Sequence, residues 1–286
     1  MKNLTSTSLL ATFGLAGALI ALPAQASFSW TIDRNSTQGS CEAASVGNKC
    51  QSSDSQAGQL VTLTATGWAS SRSGDTASKL EQATLGRYDG IGVSAQGEGR
   101  EFANSNLAAD NSGKLESILY SFSSGGSPID VVIESVTQGW HRDADFSLLA
   151  YTGQGAAPAN PGDLSSRSYD DLTSNGWQLV SNNTYHEPNS SWGTDITASD
   201  DASNNYQTSN LNAGKVQSSH WLVAVLNGSF WNRSNYIGND YIAVKTITGT
   251  AVAAVSTPST APLLVIAMAA LGFLRRKRPT SATLEA

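Results

Sequence analysis

The 286-residue sequence predicts an all-β protein, an antiparallel two-sheet sandwich of the jelly-roll kind, flanked by a signal peptide and a C-terminal transmembrane sorting tail. Three observations predict it. The interior consists of short apolar alternations of period two, separated by Ser, Asn, Asp and Gly, with no helical period. A leader with a charged start, an apolar middle and a small-residue end precedes this interior. A second apolar run, followed at once by four cations, stands near the other end.

The leader carries Lys2, an apolar run over residues 9–22, then Pro23 and Ala24-Gln25-Ala26. That is the three-part build of a secretory signal, so residues 1–26 are read as a signal peptide that engages the Sec translocon and is removed by signal peptidase after Ala26. A first helix of a folded domain would show polar positions at helical spacing, and residues 15–22 show none.

The exported domain is then residues 27–254. Lys2 and the four tail cations fall outside it, which leaves 12 Lys and Arg against 22 Asp and Glu, a net charge of −10. Such a surface repels phosphate backbones and excludes nucleic acid as a partner. Cys41 and Cys50 lie close together in a segment bound for an oxidising compartment, and no other Cys or His stands nearby to make them half of a metal site. The expectation is a disulfide whose small loop contributes roughly 2–3 kcal/mol.

Along this domain, Phe28 opens a first strand at residues 28–33. Val61, Leu63 and Ala65 alternate with Thr62 and Thr64; Ile118, Tyr120 and Phe122 alternate with Ser117 and Ser121; Val131 and Ile133 alternate with Asp130 and Glu134. These read as half-buried strands. Residues 146–151, 177–180 and 221–226 are more continuously apolar, as expected of central strands covered on both faces, and residues 241–248 complete a set of about nine. Many short strands with turn-rich joints pack best as two antiparallel sheets. Residues 51–58 and 182–210 are long, polar and poor in aliphatics, and are expected to be excursions from the sandwich.

The tail spans residues 255–286, with an apolar run at 261–274 and Arg275, Arg276, Lys277 and Arg278 directly after it. The cations hold that end in the cytoplasm. As a helix the run reaches roughly 20 Å, short of the hydrocarbon core of about 30 Å, which suits a tail that is recognised and removed better than a permanent anchor. A GPI-type signal would end on apolar residues without the basic cluster.

Val255-Ser256-Thr257-Pro258, the apolar run and the four cations together resemble the PEP-CTERM sorting tails recognised by exosortases in Gram-negative bacteria, with Val255 and Pro258 standing where the usual motif begins and ends. A second resemblance covers most of residues 85–278. Arg87-Tyr88-Asp89-Gly90-Ile91-Gly92-Val93, Ala109-Asp110-Asn111-Ser112-Gly113-Lys114-Leu115-Glu116, Gly139-Trp140, the run from Asp143 to Gly153, Asn239-Asp240-Tyr241 and Gly249-Thr250 look like a family of exosortase-dependent surface proteins. The resemblance implies a cell-surface or extracellular-matrix protein, associated with exopolysaccharide and without enzymatic activity. An exosortase-like sorting enzyme is the implied partner, with the inner membrane as a way-station before the surface.

No motif for catalysis is present. His141, His186 and His220 have neither metal-ligand spacing nor a nucleophile motif around them, and no Gly-x-Ser-x-Gly, His-Glu-x-x-His or phosphate-binding loop occurs. Two carboxylates distant in sequence could still serve a polysaccharide hydrolase, the least favoured of the three functional readings. An oxygen-rich group at Asp110, Asn111, Glu116, Asp143 and Asp145 could supply Ca²⁺, which takes six to eight oxygen ligands from loops of extracellular β domains. The plainer alternative is a turn at residues 110–113 and a solvated edge at residues 143–145. Trp192, Trp231, Tyr185 and Tyr236 lie among Ser, Asn and Gly. They could stack on sugar faces in a lectin-like, polysaccharide-binding module, or cap the sandwich ends.

Overall fold

The computed structural model describes residues 26–98, 108–142, 145–155, 160–183, 206–225 and 240–252, and the leader and tail lie outside these. The described residues form two antiparallel sheets facing one another. Sheet A contains β1 (Ser27–Thr31), β6 (Thr84–Tyr88), β7 (Gly90–Ser94), β8 (Ala109–Asp110), β11 (Val131–Arg142), β14 (Tyr206–Ser209) and β16 (Tyr241–Ala251). Sheet B contains β2 (Gly39–Cys41), β3 (Lys49–Gln56), β4 (Gln59–Ser73), β5 (Leu80–Gln82), β9 (Lys114–Ser124), β10 (Ser127–Pro128), β12 (Phe146–Gly155), β13 (Asn175–Asn183) and β15 (His220–Ala224). The order across sheet A is β14-β11-β16-β7-β6, with β1 and β8 also on β16; across sheet B it is β13-β12-β15-β9-β4-β3-β2, with β5 on β4 and β10 on β9.

These sixteen strands outnumber the set of about nine expected from the sequence. The additions are very short (β2, β5, β8, β10), glycine-rich (β6 and β7) or polar (β3 and β14), so apolar alternation could not mark them. Strand β3 overturns the expected excursion at residues 51–58. It pairs along its whole length with β4, from Lys49 opposite Thr66 to Gln56 opposite Gln59. Backbone pairing supplies what aliphatic burial does not: Ser52 is buried with its hydroxyl donating to the Thr31 carbonyl at 3.2 Å, and Ser53 meets Thr62 hydroxyl to hydroxyl at 2.9 Å. Part of the second expected excursion is also strand, since β14 pairs with residues 135–138 of β11.

The core between the sheets follows from period-two alternation. Val61, Leu63 and Ala65 of β4, Ile118, Tyr120 and Phe122 of β9, and Phe146, Leu148 and Ala150 of β12 turn inward from sheet B. Phe28 and Trp30 meet them from sheet A. The Trp30 ring lies against Phe28 at 5.5 Å and edge-on to Phe122 at 4.8 Å, and its indole N–H donates to the Val61 carbonyl at 3.0 Å. One side chain of sheet A thus both packs on and hydrogen-bonds to sheet B.

Sheet B is covered on its other face as well. Residues 160–174 fold back over it, and Leu164, Tyr169 and Leu172 pack on Trp68, Leu115, Leu119, Leu149, Trp177 and Leu222. Tyr169 sits in a single 3₁₀ turn (Tyr169–Asp171) and donates its phenol to the Leu115 carbonyl at 3.1 Å. This second layer is why β12 and β15 carry continuous apolar runs, at residues 148–151 and 221–224: alternate residues enter alternate cores.

Sheet A corrects its phase with bulges. Val131 and Ile133 face inward, but so does Val136, and the pairing of β11 with β16 shifts between Ile133 and Ser135 to allow it. Ile242, Val244 and Ile247 show the same break on β16, where the extra residue is Lys245. Its ammonium reaches Asp89 at 2.7 Å and Asp33 at 3.7 Å. Asp89 leads into the hairpin tip at Gly90, whose φ of +111° and whose position 2.7 Å from the Ala243 carbonyl oxygen, measured from an ideal Cβ, leave no room for a side chain. The same tip presses on β11: a Cβ at Gly139 would fall 1.9 Å from the Asp89 carbonyl oxygen.

Cys41 and Cys50 stand opposite each other on β2 and β3 and form the expected disulfide. It fastens the short edge strand β2 to the sheet.

Two substitutions separate close packing from polar need. Gly139→Ala must displace backbone and should lower stability by at least about 2 kcal/mol. The Tyr120 hydroxyl is fully buried and has no hydrogen-bond partner among the described residues, so Tyr120→Phe should leave stability unchanged or raise it by about 1 kcal/mol. Urea unfolding of both variants checks the pair, and a Tyr120→Phe loss of the size seen at Gly139 would contradict the packing described.

Candidate functional site

The oxygen-rich group expected from the sequence gathers at one end of the sandwich, where β8 enters β9. Asp110, Asn111, Glu116 and Asp240 are all buried there, between 1% and 4% exposed. The chain turns at residues 111–113 because the Asp110 carboxylate accepts the Ser112 amide at 2.8 Å and Gly113 adopts a φ of +107°. The turn delivers Glu116 inward from β9, and its two oxygens are taken by backbone donors: Ala95 N–H at 2.7 Å and Asp110 N–H at 3.0 Å. Both donors belong to the sheet A side, so Glu116 ties the sheets together at this end.

Asn111 and Asp240 form a second tie. The Asn111 amide donates to the Asp240 carboxylate and its carbonyl accepts the Asp240 N–H at 2.9 Å. This pair holds β8 at the start of β16, where Asp110 lies opposite Tyr241. The geometry satisfies buried backbone amides with charged acceptors, an arrangement that supports structure strongly.

Glu116 and Asn111, two of the residues expected to hold calcium, take part in the hydrogen bonds that join the sheets at this end. Two N–H groups aim their positive ends at the Glu116 oxygens. Asn111 spends its carbonyl on Asp240. Asp145 is buried just before β12. Among the described residues no group of three or more His, Cys, Asp and Glu side chains could hold a metal ion. Asp143 lies outside the described residues, as do Tyr185, Trp192, Trp231 and Tyr236 and the tail residues Val255, Pro258, Arg275, Arg276, Lys277 and Arg278.

A different constellation, missed in the sequence, lies on the outer face of sheet B at the margin of its cover. Tyr151 of β12 meets Trp177 of β13 edge-on at 5.6 Å and His220 of β15 at 6.5 Å. Trp177 is buried, whereas Tyr151 and His220 are half-buried. His220 Nδ1 sits 3.1 Å from the Ser219 hydroxyl. Burial pulls the imidazole pKa below its ordinary value of 6.5, against a smaller upward pull from Asp130, so the ring is neutral at pH 7. No motif links these three residues in sequence. Only the pairing of β13, β12 and β15 brings them together.

A shallow groove of about 480 Å³ crosses the outer face of sheet A, lined by Glu134, Ser135, Asn212, Lys215 and Thr248. Lys215 faces Glu134 across it at 3.9 Å.

No protein-family model, curated protein or solved structure matches this chain.

Two measurements test these roles. Glu116→Ala strands two buried amides and should lower stability by about 3 kcal/mol or more, to the same extent with calcium or with a chelator present. A loss that appears only when calcium is present would restore a ligand role. For His220 the folded state resists protonation more than the unfolded chain, so its contribution is fully present above pH 6.5 and is lost as pH falls through the lowered folded value. His220→Gln should therefore flatten the fall of melting temperature below pH 6.5, and an unchanged acid slope would refute the assignment.

Proposed function

We propose that the chain is an exported cell-surface or extracellular-matrix protein without enzymatic activity, sorted by an exosortase-type enzyme that recognises its C-terminal tail. The observation that carries this reading is the position of the folded unit between its two end segments. Strand β1 starts at Ser27, directly after the expected cleavage at Ala26, and β16 ends at Ala251, just before Val255. These two strands pair with Ser27 opposite Thr250. Removal of leader and tail would therefore leave every described strand intact. The Cys41–Cys50 disulfide suits an oxidising compartment and supports export.

The connectivity is proposed to be jelly-roll-like, because the chain crosses repeatedly between sheets, with β11, β14 and β16 in one and β12, β13 and β15 in the other. The absence of enzymatic activity is proposed from the chemistry on display. The buried carboxylates at the β8–β9 end are engaged by backbone and amide donors, and His220 has no nucleophile beside it beyond the Ser219 hydroxyl.

The tail is tested by its fate. Deleting residues 255–286 should release the domain unprocessed as a soluble periplasmic protein, and replacing Arg275, Arg276, Lys277 and Arg278 with neutral residues should weaken membrane retention. Changing Pro258 should leave insertion intact and block maturation. Mass spectrometry of the surface-exposed protein decides the matter: a C-terminus still at Glu285-Ala286 makes the tail an ordinary anchor and sinks the sorting proposal.

A further inference from the structure

The outer face of sheet B is sealed along one row and open along the next. The sealed row runs Thr66, Leu119, Leu222, Leu149 and Leu179 across five strands, and its leucines lie beneath or against the cover of residues 160–174. Two residues along each strand, the side chains change character. Gln51, Thr64, Ser121 and His220 stand opposite one another on β3, β4, β9 and β15, and Tyr151 on β12 continues the line beside His220.

This second row is neutral, polar and accessible. Gln51 is exposed, and Thr64, Ser121, His220 and Tyr151 are half-exposed. Gln51 donates its amide to the Thr64 hydroxyl at 3.1 Å, which leaves the Thr64 proton free to point outward. The hydroxyls of Ser121 and Tyr151 accept and donate to no group among the described residues. Five strands at a spacing of about 4.8 Å make the row about 20 Å long. Gly162 of the cover forms a wall beside it, with an ideal Cβ only 3.7 Å from His220 Nε2.

We propose that this row is a contact surface for an uncharged polysaccharide, laid across the strands with a pyranose ring packed on Tyr151 and its hydroxyls met by Ser121, Thr64 and Gln51. A sugar chain presents apolar ring faces and alternating donors and acceptors, and the row offers one aromatic ring followed by groups that can do both. The strand spacing is close to the length of one pyranose ring, so successive residues of the polymer would meet successive strands. Charge selects the class of polymer. The row holds no ionised side chain, and the domain's net charge of −10 repels anionic polymers. A protein partner is less suited, because the row offers neither an apolar patch nor an ion-pair pattern. The surface is independent of how the tail is processed.

Affinity electrophoresis of the detergent-solubilised full-length protein tests it, in native gels containing hydroxyethyl cellulose, laminarin, dextran or galactomannan, with alginate as the anionic arm. Retardation is expected in at least one neutral polymer and not in alginate. The apparent affinity should fall at least tenfold in Tyr151→Ala and in Ser121→Lys, and should be unchanged in Thr248→Ala on sheet A. Ser121→Lys alters only the exposed face, so it remains informative if Tyr151→Ala fails to fold, as a melting curve will show. Migration unaffected by every neutral polymer overturns the proposal, as does retardation by alginate alone or retardation unchanged in Ser121→Lys. Sedimentation that shows a dimer dissolved by Ser121→Lys would assign the face to self-association instead. None of these readouts depends on the C-terminus, so failure here leaves the sorting proposal standing.

Discussion

Strand β16 is the constraint on which the rest of the sandwich depends. It pairs with β1, β7, β8 and β11, which leaves only the edge strands β6 and β14 of sheet A without a direct bond to it. Because β16 is the last described strand and β1 the first, sheet A cannot assemble until almost the whole domain is available. The pairing of Ser27 with Thr250 closes a loop of most of the domain, and such long-range contacts carry a large closure entropy and slow folding. A chain with this topology can stay unfolded while it crosses a membrane, in keeping with the proposed export.

The two sheets are then locked by different means at different places. In the middle the lock is apolar, with Trp30 of sheet A set against Phe122 and bonded to Val61 of sheet B. At the β8–β9 end it is polar, with Glu116 of sheet B accepting two amides from the sheet A side and Asn111 fastening Asp240. Buried carboxylates are tolerable there because each described oxygen of Glu116 has its donor; remove the donors and the same charge would oppose folding. The apolar lock is broad and insensitive to small changes in direction, whereas the polar lock fixes register at a single point.

Sheet B also shows how one face can serve two purposes. The cover of residues 160–174 buries part of the outer surface and stops beside His220. Where it lies, the strands carry leucine; where it stops, they carry hydroxyls, an amide and a half-exposed ring. Tyr151 stands at that boundary, edge-on to Trp177 on one side and to His220 on the other, and half-exposed. A binding residue held by a buried neighbour loses little freedom when a ligand arrives, which favours recognition by a rigid surface.

How much of this was legible in the sequence depended on whether the signal was periodic. Alternation marked β4, β9 and β11, and two of the three continuous apolar runs implied strands covered on both faces, as β12 and β15 are, whereas the run at 177–180 belongs to β13, the edge strand of sheet B, with Gln178 exposed. Alternation failed for β3, whose Ser, Asp and Gln are held by backbone pairing with β4, and for β14 within a long polar stretch. The disulfide was readable from the close spacing of the two cysteines. The oxygen-rich residues were readable as a composition, but the pairing of Asn111 with Asp240 and of Glu116 with the Ala95 and Asp110 amides was not, because those partners are set by what the opposite strand or sheet presents.

The sequence by itself determined the strand-rich class, the inward and outward sets within most strands and the Cys41–Cys50 pair, because these depend on local composition and period. Only the tertiary structure decided that β1 joins β16, that Glu116 serves the amides of Ala95 and Asp110, and that Tyr151, His220, Ser121, Thr64 and Gln51 share one row. Those neighbours come from five separate strands, and their meeting is fixed by register across sheet B, which no local stretch of chain encodes.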